Sequence, residues 1–300
     1  MDKKGLWLVL GTAIISGVSI FINKFGVSMV NSNILTFLKN LVVALMLTGI
    51  IFSLKNLKTF RSFNLKKWLT LITIGLVGGS VPFLLFFKGL SLTSAAQGSL
   101  IQKSMFILVS LLAVIFLKEK INKYFLFGGI AILLGNLFIL KNFSFSPNVG
   151  DLYVLVAVIF WAAENVLSKY VLRDIKAEIV TWARMFFGAG FIFIYLLFIG
   201  QASSILRINM EQIGWVLVTA AFLFGYVITW YKGIARIPVS VATCILLLGS
   251  PITTLLAILN NGKINPVDIY SGILVLVGVI IIAVFGYEKA NQKESGTVRC

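Results

Sequence analysis

The sequence has no histidine, only two cysteines, and ten acidic residues against 26 lysines and arginines. Cys244 and Cys300 are too few for a disulfide framework. Zinc sites are built mainly from cysteine and histidine, so this composition also excludes a metal site of that kind. No GxxxxGK[ST] motif is present, which argues against an ATP-driven pump. No cofactor is implied.

Charged residues of either sign are scarce, and apolar residues are abundant. The chain is 12% charged and 59% hydrophobic with a mean hydropathy of +1.01, whereas a soluble domain has about 25% charged and about 45–50% apolar residues. Segments of about 18 to 25 apolar residues can cross a hydrocarbon core of roughly 30 Å as helices. The sequence therefore predicts an all-α integral membrane protein with ten transmembrane helices, near residues 5–23, 33–53, 68–87, 93–117, 122–140, 150–168, 177–199, 212–231, 238–259 and 266–286.

Positive charge is distributed unequally between alternate loops. Eighteen cations fall at the N-terminus, in the even-numbered loops and in the tail, whereas the opposite loops hold only Lys24, Lys88, Lys141, Arg207 and Lys263. Because lysine and arginine mark the cytoplasmic side, we expect a multi-pass cell-membrane protein with both termini in the cytoplasm. The early lysine pair followed by an apolar run is also typical of a signal peptide, but no convincing small-residue cleavage site follows.

The two halves of the chain are copies of each other. Shifts of 145, 144 and 143 positions align, in order, residues 5–40 with 150–185, FFKGL (86–90) with WYKGI (230–234), and KIN (120–122) with KIN (263–265). These shifts match Lys24 with Lys169 and Lys39 with Arg184. We divide the chain into a first repeat (1–145), a second repeat (146–288) and a cytoplasmic tail (289–300).

Each repeat contains five predicted helices, which is an odd number. The second copy must therefore enter the membrane from the opposite side, and the two halves form a 5+5 inverted repeat. Halves related in this way can open a central site alternately to either side of the membrane, as many secondary transporters do. The repeat thus favours a carrier, while a channel stays an alternative.

Several motifs resemble the drug/metabolite transporter superfamily, EamA type. They are the lysines in SIFINKFGV (19–27) and ENVLSKYVL (164–172), the cation early in the second helix of each half, and LKEKIN (117–122). The resemblance implies a plasma-membrane carrier of small metabolites, often amino acids or organic anions, and commonly an exporter. The sequence departs from the family where the acidic residue matched by Glu119 is replaced by Gly262 in the second half.

Polar residues recur on one face of several predicted helices. The stripes are Thr12, Ser16, Ser19 and Asn23 in the first helix, Ser99, Gln102, Lys103, Phe106 and Ser110 in the fourth, and Trp161, Glu164, Asn165 and Ser168 in the sixth. Small polar residues also serve as helix-packing contacts in membranes. For the stripes together we expect a central cavity.

Three cations and one carboxylate lie inside predicted helices. Lys103 is about 15 Å from the outer boundary, close to the midplane, and Lys39 is about 9 Å in from the outer side. Glu164 and Arg184 lie in the inner half on consecutive helices, and we expect them to pair. Intramembrane charges usually face protein or a watery cavity and mark function.

Lys103 is the leading candidate for binding an anionic group of the cargo, with Lys39 as its helper. Its repeat equivalent, Leu247, is uncharged. The alternatives are that Lys39 snorkels to the outer headgroups and that Lys103 is bonded only to carbonyls and hydroxyls. Aromatic residues could wall an apolar part of the cargo, while their alternative role is to face lipid; the candidates are Phe83, Phe86, Phe87, Phe106, Trp161, Tyr226, Trp230 and Tyr231.

The sequence therefore predicts a secondary active transporter of small metabolites, an exporter of amino acids or organic anions. The predicted substrate-binding residues are Ser16, Ser19, Asn23, Lys39, Ser99, Gln102, Lys103, Phe106, Trp161, Glu164, Asn165, Arg184, Tyr226 and Trp230. Export of neutral or cationic compounds, with Glu164 as the proton or cargo site, is the alternative, and a membrane enzyme is disfavoured because clustered acids and histidines are missing. The expected partners are the substrate and the lipid bilayer, with a homodimer as an option and no nucleic acid.

Overall fold

The computed structural model describes residues 2–53, 60, 62–142, 148–261 and 266–286. Thirteen α-helices and no strand occur in this part of the chain. The helices are α1 (Lys3–Met29), α2 (Ser32–Ser53), α3 (Leu65–Ile74), α4 (Val81–Leu92), α5 (Ala95–Lys103), α6 (Met105–Leu112), α7 (Lys123–Asn142), α8 (Val149–Val171), α9 (Ala177–Phe198), α10 (Met210–Ile234), α11 (Val239–Leu246), α12 (Gly249–Asn261) and α13 (Pro266–Ile281). Of the positions named above, Gly262, the KIN segment (263–265) and the tail 289–300 with Cys300 lie outside the described residues. Three of the eighteen cations counted above, Lys55, Lys58 and Arg61, lie outside them as well.

The helices confirm an all-α membrane protein. Eight spans among the described residues are long and apolar enough to cross a bilayer, and two shorter apolar helices, Lys123–Gly135 and Ile269–Phe285, accompany them. A π-helical segment, Gly75–Ser80, joins α3 to α4 within one continuous span, Leu65–Leu92. The predicted helix at 68–87 is therefore longer at both ends than the sequence indicated.

Polar residues fix several helix starts. Asn148 and Asp151 form a capping box at the start of α8, and Asn209 and Gln212 form another at α10. Asp2 accepts a hydrogen bond from the Gly5 amide and pairs with Arg236 at 3.0 Å. These two contacts hold the pKa of the Asp2 carboxyl below its ordinary value. The Arg236 contact also places the start of α1 and the α10–α11 connection on one side of the protein.

Contacts made by one half of the chain recur in the other half. Helix α1 packs on α10, and the equivalent pair α8 and α4 packs in the same way. A Cβ at Gly89 would lie 2.7 Å from the Val154 side chain, and one at the equivalent Gly233 would lie 2.5 Å from Val9. Helices α2 and α9 pack together, as do α7 and α13.

The predicted single helices at 93–117 and 238–259 are each broken in two. Ser104 donates its amide to the Ile101 carbonyl at 3.1 Å, and the repeat-equivalent Leu248 donates to Ile245 at 3.1 Å. Each bond spans three residues instead of the four of an α-helix, so the chain is overwound at the junctions α5–α6 and α11–α12. The side chains after each junction are rotated relative to their positions in an unbroken helix.

The π segment and α9 approach each other closely. The Gly79 carbonyl accepts from Asn40, and a Cβ built at Gly79 would lie 2.0 Å from the Arg184 carbonyl oxygen. The space at Gly188 is also too small for a side chain, because a Cβ built there would lie 2.5 Å from the Gly79 carbonyl oxygen. The backbone approach that places Arg184 therefore requires glycine at both positions.

We expect Gly79→Ala to lower the free energy of unfolding by about 3 kcal/mol, since two backbones must separate to admit one methyl group. Chemical or thermal unfolding of purified protein measures this loss. Gly49→Ala in α2 is the matched control, because a Cβ there meets nothing within 4 Å. The account of this contact fails if both variants are as stable as the wild type.

Candidate central binding site

A small cavity of about 60 Å³ lies between the two halves of the protein. This volume is below the range of about 300–1,000 Å³ typical of small-molecule sites. Ten of the predicted binding residues line it: Ser16, Ser19, Asn23, Lys39, Gln102, Trp161, Asn165, Arg184, Tyr226 and Trp230. Ile20, Phe83, Phe86, Phe87, Met105 and Leu223 complete the lining.

Lys39 points into this cavity and not toward the lipid headgroups. Its side chain is 1% exposed, and Nζ donates to Asn23 Oδ1 at 3.0 Å. The ammonium group also lies 3.3 Å from the centroid of the Phe87 ring, close enough for a cation–π contact. The snorkelling alternative is therefore wrong, because the amine is held by an amide and a ring inside the protein.

Arg184 and Glu164 form the predicted ion pair, with 3.9 Å between Arg184 Nε and Glu164 Oε2. Glu164 is held in place by two hydroxyl donors, Ser168 at 2.5 Å and Tyr231 through a very short bond. Both Nε and Nη1 of Arg184 lack a hydrogen-bond partner in the described chain, although they are buried. Glu164 thus neutralises the charge of Arg184 but leaves two of its donor atoms free.

The two charged clusters occupy repeat-equivalent positions. Ser19, Asn23 and Lys39 in the first half align with Glu164, Ser168 and Arg184 in the second. Asn23 donates to Ser19 Oγ at 2.9 Å, just as Ser168 donates to Glu164. Since serine replaces the carboxylate in the first half, Lys39 has no acidic partner within 4 Å among the described residues.

Aromatic side chains wall the cavity and are themselves anchored. Trp161 donates its indole N–H to the Gly78 carbonyl at 3.1 Å, and its ring packs against Phe83 and Phe86. Trp230 donates to Asn165 Oδ1 at 2.7 Å and stacks on Tyr226. With their N–H groups satisfied, these indoles present apolar faces for a ligand.

Lys103 does not line the cavity, and neither do Ser99, Phe106 and Glu164. The sequence predicted that Ser99, Gln102, Lys103 and Phe106 line the cavity together, and of these only Gln102 does. Met105, three residues after Gln102, lines the cavity as well and was not predicted. Because Met105 is apolar like its neighbours in the run, the polar pattern gave no signal for it.

Comparison with known proteins agrees with this architecture. A sequence profile of the EamA-like transporter family matches residues 3–141 and again residues 148–284. The chain belongs to the EamA-like transporter family. The resemblance drawn from LKEKIN and the two half-ending lysines is thereby confirmed.

Relatives of this EamA-like transporter carry transporter names. The uncharacterized transporter YyaM of Bacillus subtilis is 27% identical over 303 residues, covering 97% of each chain. The riboflavin transporter ImpX of Fusobacterium nucleatum is 25% identical over 258 residues, covering 81% of this chain and 85% of that protein. A solved crystal structure matches with a TM-score of 0.76 at 16% identity, covering 95% of this chain and 97% of the other, which shows the shared fold.

The EamA-like transporter has a second polar cluster on the side where α1 begins. Glu119 accepts hydrogen bonds from the Val239 amide at 2.9 Å and from the Ser240 amide at 3.1 Å, both at the start of α11. The Ser240 hydroxyl donates to the same carboxylate at 2.5 Å. The backbone of Lys118 is left-handed (φ 56°), and the sharp turn of the chain at this residue directs Glu119 toward the start of α11.

Two half-ending lysines clamp helix ends on opposite sides of the transporter. Lys169 donates to the carbonyls of Ile234 (2.6 Å) and Ile237 (3.0 Å) beside Glu119. Lys24, its repeat equivalent, donates to the carbonyls of Leu90 (2.9 Å) and Thr93 (2.6 Å). The lysine clamps are thus duplicated. The carboxylate of Glu119 is not duplicated, because Glu119 aligns with Gly262.

Removing the carboxylate of Glu164 should destabilise the transporter. We expect Glu164→Gln to lower the free energy of unfolding by about 3 kcal/mol, because Arg184 is then a buried charge without a counter-charge. Thermal unfolding of single and double variants measures the coupling. Adding Arg184→Gln should restore part of the loss, and purely additive effects would mean that the pair is not coupled.

Proposed function

We propose that this protein is a secondary active transporter that exports small carboxylate-bearing metabolites, such as amino acids or organic anions, across the cell membrane by alternating access. The observation that carries the proposal is the position of Lys39. This cation lines a cavity that is walled in part by aromatic rings, and it has no acidic partner in the described chain. A bound anion would supply the missing counter-charge.

The proposed architecture is a 5+5 inverted repeat of ten transmembrane helices, with repeats at 1–145 and 146–288. Support comes from the recurrence of the Gly89 contact at Gly233 and of the Lys24 clamp at Lys169. The broken helices α5–α6 and α11–α12 occupy equivalent places. Helix breaks near the middle of the membrane are a common feature of binding sites in inverted-repeat transporters.

Arg184 extends the proposed cargo site beyond Lys39. The Phe83 ring centroid lies 5.7 Å from Lys39 Nζ and 5.2 Å from Arg184 Cζ, so the two cationic groups are near enough for one small molecule to reach both. Free donors at Nε and Nη1 suit an acceptor such as a carboxylate. The side-chain amide oxygen of Gln102 (Oε1) is buried and unpaired as well, which favours a cargo that also has a hydrogen-bond donor.

Aromatic walls suit a cargo with a flat apolar part. Phe83, Phe86 and Trp161 form one side, and Tyr226 with Trp230 forms another. Stacking on such rings stabilises planar ligands beyond the burial of their surface. The name of one relative, a riboflavin transporter, adds a planar compound to the classes that merit testing.

Glu119 and Lys169 are the proposed cytoplasmic gate. Both hold the junction between α10 and α11. Glu119 follows the π-helical segment Ala113–Leu117, which continues α6 of the first half, so the two residues tie helices of both halves. In the proposed orientation, with both termini cytoplasmic, this cluster closes the inner side. The cavity would then open toward the cytoplasm only when these hydrogen bonds break.

Counterflow in proteoliposomes tests the carrier mechanism. Vesicles are loaded with unlabelled phenylalanine, glutamate, benzoate or indole-3-acetate, and a trace of the same labelled acid is added outside. A carrier that accepts the acid accumulates label transiently above equilibrium, and the rate saturates with concentration. Simple equilibration of every permeant acid, without overshoot, would instead indicate a channel.

A further inference from the structure

Lys103 is a buried cation that the cavity leaves unused. It is the last residue of α5, and its side chain is only 3% exposed. A Cβ at Gly249, the first residue of α12, would lie 3.0 Å from Lys103 Nζ. The ammonium group therefore occupies the space beside Gly249, where the two broken spans meet.

No described residue neutralises Lys103. No hydrogen bond or ion pair joins its ammonium group to another residue in the described part of the chain. Glu164 is engaged with Arg184, Ser168 and Tyr231, and the other buried carboxylate, Asp151, binds Thr93 and Gln97. The charge is thus uncompensated at a depth where water is scarce.

A second unpaired donor faces the same region. Ser99 lies four residues before Lys103 and so on the same face of α5. Its side chain is 2% exposed, and its hydroxyl has no hydrogen-bond partner. Buried polar groups are normally paired, so an ammonium and a hydroxyl left free on one helix face indicate a partner that is not part of the chain.

The start of α12 lies against the same ammonium group. It offers few donors of its own, because the Ser250 amide donates to the Leu247 carbonyl at 2.9 Å and Pro251 has no amide hydrogen. The Lys103 ammonium group and the Ser99 hydroxyl are therefore the donors that an anion would meet here.

We propose that Lys103 and Ser99, where α5 meets the start of α12, form a site for one small monovalent anion, separate from the central cavity. Two sources share this chemistry, an inorganic halide and a small carboxylate. An anion held here would compensate the buried ammonium group at a contact between helices from different halves. Its occupancy would therefore stabilise the folded transporter.

Thermal unfolding of the purified full-length protein tests the site without any transported substrate. At constant ionic strength, sodium gluconate is replaced stepwise by chloride, bromide or acetate. We expect a saturable rise in the unfolding midpoint, with halides active if the occupant is inorganic and acetate alone active if it is a carboxylate. Ser99→Ala should weaken the apparent affinity about tenfold.

Two variants separate this site from general salt effects. Lys103→Met should fold, because it removes an uncompensated charge, and should show no saturable anion dependence. Lys88→Met, which removes an exposed lysine, should keep the full wild-type dependence. The site is disproved if the wild type has the same unfolding midpoint in all four anions, or if Lys103→Met keeps the saturable rise in its unfolding midpoint.

Discussion

Lys39→Met is expected to weaken the binding of anionic cargo by about 10- to 100-fold, the loss typical of a hydrogen bond to a charged group. Lys39 is the cation of the cavity lining that no carboxylate offsets in the described chain, so the ligand loses its counter-charge. Dissociation constants measured by calorimetry for any acid active in counterflow report the effect. The variant should still fold, because it replaces a buried charge with an apolar chain.

Lys39→Arg is the matched control for charge. It keeps a cation beside Asn23 and should recover most of the lost affinity, with a residual defect because a planar guanidinium cannot reproduce the compact ammonium over Phe87. Equal affinity in the wild type and Lys39→Met would remove Lys39 from the binding site. Weak binding in both variants would assign it a shape-dependent role in place of charge.

Glu119→Gln should open the proposed cytoplasmic gate. The carboxylate accepts three hydrogen bonds from Val239 and Ser240, and a neutral amide replaces these charge-assisted bonds poorly. We expect the inward-open population to rise at least about tenfold. Maleimide labelling of a cysteine introduced at Val171, which is buried beside this cluster, measures the change in a background without Cys244 and Cys300.

Gly262→Glu provides the reciprocal test. It places a carboxylate at the position that aligns with Glu119 in the second half. If closure depends on such a carboxylate, the new one should favour closure of the opposite side, raise the inward-open population and speed labelling at Val171 relative to the wild type. Unchanged labelling in Glu119→Gln would show that Glu119 does not hold the gate.

The helical architecture was predictable because it depends on local properties. Apolar runs and the cost of unpaired backbone groups in lipid require helices over most of the chain. The repeat further matched Lys24 with Lys169, whose carbonyl contacts are now seen to be equivalent. Pro251 marks the break at Leu248, because a proline removes the hydrogen bond to the carbonyl four residues before it, that of Leu247. The break at Ser104 was not predictable, because no proline follows it in the same way.

The sequence located cavity-lining residues where their depth and the repeat agreed. It misplaced residues that were assigned to the cavity by helical spacing alone. Lys39 and Arg184 align and both reach the cavity. Lys103 was placed there by helical spacing, but its ammonium group lies beside Gly249, outside the cavity lining. Glu164 was expected to face the cargo, but it accepts hydrogen bonds from Ser168 and Tyr231. Helical spacing placed Ser168 on the same face, whereas Tyr231 lies on another helix and could not be identified in that way.

One measurement tests the central claim most directly: thermal stabilisation of wild type and Lys39→Met by matched acids and amides. Suitable pairs are benzoate with benzamide, indole-3-acetate with indole-3-acetamide, and riboflavin 5′-phosphate with riboflavin. An anion carrier with Lys39 in its site should be stabilised by acids more than by their uncharged partners, and Lys39→Met should lose that difference. Equal stabilisation by both members of each pair that binds, or a preference that survives in Lys39→Met, would contradict the proposed anionic cargo.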